Sequence, residues 1–211
     1  MVVNAGPMDE PLREELLRRA ARDQEARRTA DADPEPMLAI DAENLPWLKG
    51  VIEAKGWPTR STVGEQASHA AWLLVQHADK DPAFQHRCLE LLTTAATKGE
   101  ADPQEVAYLT DRVCLAERRP QVYGTQVTAR DGRWVPRSLQ DPPNVDERRA
   151  AVGLEPMEDY LARFGDPPGP NFLPCLQCDS SIEFWSPELG EHVQLTCPSC
   201  GWKTVLSLDP Q

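Results

Sequence analysis

Residues 65–79 read EQASHAAWLLVQHAD. Ala67, Ala70, Ala71, Leu74 and Ala78 share one helical face, and Trp72, Leu73 and Val75 cover much of the remainder. A helix apolar nearly all round has no side to turn to water, so this segment predicts a central, buried helix. The fold class follows from what surrounds it. Upstream, Asp9 caps and Pro11 opens a helix with Leu12, Leu16, Ala20 and Gln24 on one face. Glu14 with Arg18 and Glu15 with Arg19 are favourable pairs four residues apart. That helix fades at DADPEP (31–36), a polar connector, and AENLPWLKGVIEAKG predicts a shorter helix capped by Asn44 and stopped at Gly56.

Downstream, DKDP (79–82) breaks the central helix, and Asp81 and Pro82 open another with Phe84, Cys88, Leu91, Leu92 and Ala95 inside. DPQE (102–105) is a capping box that starts a helix through YLTDRVCLAE. Cys88 and Cys114 lie on apolar helix faces as buried thiols. The period then changes: QVYGTQVTAR and RWVPRSLQ are extended segments around Asp131-Gly132, a strong hairpin signal. Residues 145–164 predict two short helical pieces broken at Gly153 and Pro156.

The C-terminal end obeys different rules. Cys175, Cys178, Cys197 and Cys200 form two CxxC pairs with eighteen residues between them, the spacing of a four-cysteine zinc site. SIEFWS, HVQLT and KTVLSL predict a three-stranded zinc ribbon, with PELGE turning between the first two strands. So small a module needs its metal, which contributes on the order of 10–16 kcal/mol to folding in comparable units. Four thiolates leave no open position, so one structural Zn2+ per chain is expected. Paired disulfides are the alternative, and a reducing compartment argues against them. The expected organisation is mainly α: a disordered stretch over 1–10, a helical domain with a β-hairpin over 11–164, a proline-rich linker over 165–174, and the ribbon over 175–208.

Charge narrows the possible partners. The chain of 211 residues carries a net charge of −12. From Asn171 onward there is one Lys and no Arg against five acidic residues, a balance that phosphate would repel. Nucleic acid is therefore disfavoured. No signal peptide is visible, and the longest apolar run, AAWLLV (70–75), is far below a membrane span. A cytoplasmic protein with no membrane association is expected. Dinucleotide, P-loop and GxSxG signatures are absent from the sequence.

GWPT (56–59), VG (63–64), AAWLLVQHAD (70–79), FQ (84–85), AYLTDRV (107–113), YGTQ (123–126) and VDERRAAVGLEPMEDY (145–160) together resemble an uncharacterised bacterial family, domain of unknown function 6624, over about residues 12–160. The resemblance implies a fold and positions to examine, and no reaction. The C-terminal module is similar to rubredoxin-like ribbons appended to many bacterial proteins.

Among the matched positions, His77 ends the central helix, where the dipole favours its protonated form. With Asp79 orienting it and Tyr123 holding a substrate oxygen, it forms a candidate acid–base set, as for a small metal-independent hydrolase or lyase. Trp57, Gln76, Asp111, Arg112, Thr125 and Gln126 are candidate binding residues. The plain alternatives are a histidine bonding a carbonyl, an Asp79 cap and an Asp111–Arg112 ion pair. His69 and His77, eight apart, offer a weaker second metal site than the usual four-residue spacing. The competing reading is a binding or adaptor module for a peptide, small molecule or partner protein. In it, Trp185 and Trp202 furnish an aromatic contact surface or pack over the zinc knuckles.

Overall fold

The computed structural model describes residues 8–28, 33–167, 169–178, 180–185 and 192–207. The stretch 1–7 of the expected disordered N-terminus, part of DADPEP and the PELGE turn lie outside the described residues. The chain is mainly helical, with small antiparallel strand pairs. No helix among the described residues is long and apolar enough to cross a membrane.

Helix α1 (Glu10–Arg27) starts as its sequence directs, with the Asp9 carboxylate accepting from Leu12 N–H at 3.2 Å. Leu12, Leu16 and Ala20 are buried, but Gln24 is exposed. Its expected place on the inner face is taken by Asp23, only 1% exposed. Glu15 bonds Arg19 at 2.6 Å and also draws in Arg18.

The second helix, α2, runs from Glu35 to Lys55, starting well before the expected cap at Asn44. Asn44 is buried inside it, and its side-chain oxygen accepts from Arg19 at 2.9 Å instead of closing a helix end. Pro46 also lies inside α2. An interior proline costs about 3 kcal/mol. Leu48 and Ile52, each almost wholly buried on the same helix, and the Arg19 guanidinium 4.3 Å over Trp47 offset that cost.

After a single turn, α3 (Arg60–Val63), comes the central helix α4 (Glu65–Gln76). It packs against α1, α2, α5 (Pro82–Thr97) and α6 (Pro103–Ala116), as its all-round apolarity requires. Ala67, Ala70, Ala71, Leu74 and Val75 lie in one core cluster with Trp57, Phe84, Cys88 and Leu92. Asp81 caps α5 through Phe84 N–H, and Asp102 caps α6 through Gln104 N–H. The capping box is only half made, because Glu105 turns away from the cap to His69.

Strands β1 (Val127–Arg130) and β2 (Arg133–Pro136) form the expected hairpin. Asp131 and Gly132 both have positive φ, 50° and 70°, the type I′ geometry that matches strand twist. Helices α7 (Val145–Ala151) and α8 (Met157–Ala162) follow.

The cysteine-bearing end differs from the expected three-stranded ribbon. It consists of two antiparallel hairpins, β3 (Asn171–Pro174) with β4 (Ser181–Phe184), and β5 (His192–Thr196) with β6 (Lys203–Ser207). Residues 171–174, expected as linker, are thus a strand, and HVQLT pairs with KTVLS rather than with SIEF. Ile182, Leu195, Cys175 and Cys197 make a small core separate from the helical one.

Candidate functional site

Each C-terminal hairpin carries its CxxC at the tip. Pro174↔Ser181 closes the first ladder and Thr196↔Lys203 the second, leaving a CxxC at the end of each. In both, the first cysteine's N–H bonds a carbonyl five residues on: Cys175 to Ser180 at 2.8 Å and Cys197 to Trp202 at 2.7 Å. In both, the first cysteine is buried and the second exposed. The tips meet crosswise, with Cys175 and Cys200 sulfurs 3.6 Å apart and Cys178 and Cys197 likewise.

All four sulfurs lie within 4.8 Å of one another, and all four cysteines are free. A zinc ion with sulfurs about 2.3 Å away needs them about 3.8 Å from one another, so the donor set fits that ion in number, type and spacing. A disulfide needs about 2.05 Å. The Ser180 hydroxyl stands 3.1 Å from both Cys178 and Cys197 sulfurs. Its hydrogen bond brings the Cys197 thiol down to about 6. At Cys200 the Trp202 amide favours the thiolate, but burial and the neighbouring sulfurs prevail and hold that thiol up to about 12. Four sulfurs this close cannot all ionise without a cation among them.

Trp202, expected in a contact surface or over the knuckles, packs against the small core formed with Cys175 and Cys197. Trp185, just after β4, is half-buried.

In the helical part, the expected catalytic side chains are held by different partners. His77, where α4 ends, points its Nδ1 at Asp23 of α1, 2.9 Å away. Arg27 joins Asp23 at 3.1 Å and reaches Asp41 of α2 at 2.6 Å. Burial raises the Asp23 carboxyl, but the His77, Gln24 and Arg27 hydrogen bonds outweigh it and hold the group below the usual carboxylate range. Burial pushes Asp41 up. The crevice around His77, lined by Asp23, Asp41 and Asn44 among others, has no room for a water molecule.

Asp79 instead receives Arg112 Nη1 on both carboxylate oxygens at 2.8 Å and Gln85 Nε2 at 3.1 Å. Arg112 Nε also donates to Gln76 Oε1 at 3.0 Å. Gln76, Asp79 and Arg112 therefore do converge, as an ion cluster that leaves the buried Gln76 Nε2 without a partner.

Asp111, wholly buried, does not pair with Arg112. Its two oxygens accept the N–H groups of Val122, Tyr123 and Thr125 at 2.7, 2.9 and 2.8 Å. The Gln121 side chain bonds both N–H and C=O of Gln126, at 2.8 and 2.9 Å. Tyr160 donates to Thr125 O, Arg148 to Val122 O and Arg149 to Tyr123 O. The YGTQ backbone is thus clamped from every side, and burial raises the Tyr123 hydroxyl. Trp57 belongs to the core cluster. No hydrogen bond joins His77, Asp79 and Tyr123 to one another.

The paired histidines also part company, His69 bonding Glu105 on α6 and His77 bonding Asp23 on α1. Among the described residues, the four cysteines are the group whose ligand atoms converge as a metal site.

Sequence reasoning missed Asp23, Arg27, Asp41, Gln121, Arg149 and Ser180. Asp23 carried a signal, since it continues the Leu12–Leu16–Ala20 stripe at helical spacing. For the clamp residues on 121–160 no pattern precedes the fold.

Comparison with known proteins adds one finding. The profile of a Family of unknown function (DUF6624) matches residues 12–170, nearly all the helical part, and stops one residue before β3. No curated protein and no solved structure shows significant similarity to the chain. With three quarters of its length matched, from α1 through α8, the chain belongs to that family of unknown function.

Proposed function

We propose that this protein is a cytoplasmic bacterial binding or adaptor module whose two C-terminal hairpins are locked together by one structural zinc ion. The observation that carries the metal reading is the crosswise meeting of four free sulfurs within 4.8 Å. Cys175, Cys178, Cys197 and Cys200 would hold the ion, which when bound supplies a crosslink between hairpins and no catalytic position. Free thiols so placed persist in a reducing compartment, which is the reason for choosing the cytoplasm.

For the helical part, binding is favoured over acid–base catalysis. His77, Asp79 and Tyr123 are held by separate partners, Asp23, Arg112 and Asp111, and the crevice at His77 has no room for a water molecule. The partner is a protein or a small molecule. An acidic chain with so acidic a C-terminal end favours neither nucleic acid nor anionic lipid.

Metal content per chain tests the reading on the full-length protein and on Cys178→Ser and Cys200→Ser variants. One zinc in the parent and a marked loss in both variants is expected. A second metal that survives both substitutions would move the functional centre into the helical part and overturn the proposal.

A further inference from the structure

A cleft of about 280 Å3 opens where α3, α4 and the start of α6 meet, and none of the candidate catalytic or binding residues lines it. Glu105 was expected to complete the capping box of α6. Instead its carboxylate, in a side chain only 10% exposed, lies 2.8 Å from His69 Nδ1. The same residue's carbonyl accepts from Trp72 Nε1 at 2.9 Å, and the Trp72 ring lies 4.9 Å from the His69 ring. The imidazole is therefore fixed on one edge and one face. When neutral, with its proton on Nδ1, it turns the Nε2 lone pair outward from a side chain that is 57% exposed.

Beside it, Ser68 is 2% exposed, lines the cleft, and its hydroxyl has no hydrogen-bond partner. A buried hydroxyl left alone costs about 1–3 kcal/mol, and a turn of the Ser68 side chain toward the cleft would let a ligand group there satisfy it. The charge balance gives that ligand its sign. Glu65, Asp102 and Glu105 line the cleft against one guanidinium, Arg60, which is already 3.6 Å from Asp102 and 3.9 Å from Glu65. Lone pairs on Ser68 and His69 amid surplus carboxylate call for a cation that donates hydrogen bonds. A bare metal ion does not fit, because these groups do not converge as the cysteines do.

We infer that this cleft binds a small primary ammonium ligand, its three N–H donors shared among Ser68 Oγ, His69 Nε2 and a cleft carboxylate. The inference rests on the reading of the helical part as a binding module and names the ligand class for it. The volume admits a short alkylamine, just below the usual range of about 300–1,000 Å3 for drug-sized ligands. The ligand competes with a proton at His69, which sits among Arg60, Glu65, Asp102 and Glu105, so affinity rises with pH.

The test is an amide NMR titration of the full-length protein with propylamine and, separately, with propionate. Saturable shifts confined to residues 60–69 and 102–105 with the amine, and none with the acid, are expected. Ser68→Ala removes a hydroxyl with no partner in the free protein, so its melting temperature should be unchanged or higher while propylamine binds about tenfold more weakly. Glu65→Gln, at an 80% exposed side chain, should weaken binding without touching the fold. Shifts with propionate in the cleft, or unaltered affinity in both variants, would overturn the proposal. Propylamine shifts at another surface alone would also overturn it, but would leave the binding reading of the helical part standing.

Discussion

Asp111 and Arg149 never touch, yet they hold opposite ends of the same residue. Asp111 accepts the N–H of Tyr123 at 2.9 Å, and Arg149 donates to its carbonyl at 2.7 Å. Both side chains are wholly buried. A carboxylate on α6 and a guanidinium on α7 thus hold the two polar ends of one backbone residue, and Arg149 gains the Tyr160 ring 4.8 Å away. An Asp111→Asn variant keeps the shape and loses the charge and one accepting oxygen. It should lose about 3 kcal/mol in denaturant unfolding, since its amide NH2 would face a buried backbone N–H donor and leave it unpaired. A loss below about 1 kcal/mol would mean that the loop holds without the clamp.

Inside that loop, Gly124 has φ of 70°, and a Cβ there would collide with the Met157 methyl. The methyl ends a flexible chain and can move aside, whereas the backbone angle cannot change without breaking the clamp. Gly124→Ala should therefore cost about 1–2 kcal/mol, and shortening Met157 to Ala in the same protein should not recover it. Recovery in the double variant, read by thermal melts, would show that crowding and not the backbone angle sets the cost.

The His69–Glu105 contact makes a pH-dependent contribution whose sign is fixed. The Glu105 hydrogen bond holds the folded imidazole above its ordinary value. A raised folded value means that the pair stabilises fully below the unfolded value, about 6.5, and is lost as pH rises through the folded one. The melting-temperature gap between parent and Glu105→Gln should be widest near about pH 5.5 and close by about pH 9. A gap that widens with pH would contradict the assignment.

How much of this was legible beforehand depended on whether local chemistry or distant partners decide. The central helix was plain because nothing but burial suits AAWLLV, and the hairpin because Asp131-Gly132 accepts positive φ where most residues do not. The start of α2 was hidden because its first half is largely exposed, so no apolar stripe marks it, and a proline at 46 imitates a boundary. The roles of Asp23 and Arg149 were not readable locally, because His77 and the Tyr123 carbonyl reach them from 54 and 26 residues away. The convergence of the four cysteines was readable from spacing alone. The pairing of its strands was not, because neighbouring segments around PELGE imitate a hairpin while each CxxC loop closes its own.

Chelation should separate the two parts of the chain. Stripping metal at neutral pH should unfold residues 171–207, seen as lost amide dispersion and altered Trp202 fluorescence, while helical ellipticity stays near its starting value. Loss of the helical signal at the same chelator concentration would show that the hairpins support the helices.

The alternation of buried and exposed cysteines gives the four-sulfur cluster a direction. Cys175 and Cys197 form the floor, while Cys178 and Cys200 face solvent. An ion held there would arrive and depart by that exposed side, and the last two sulfurs to close over it would be the first to yield to a competing thiol. Alkylation during metal loss would mark Cys178 and Cys200 before the other two, whichever hairpin folds first. Exchange of the ion with other carriers would thus be set by two side chains at the rim, with the floor acting as an anchor that need not move.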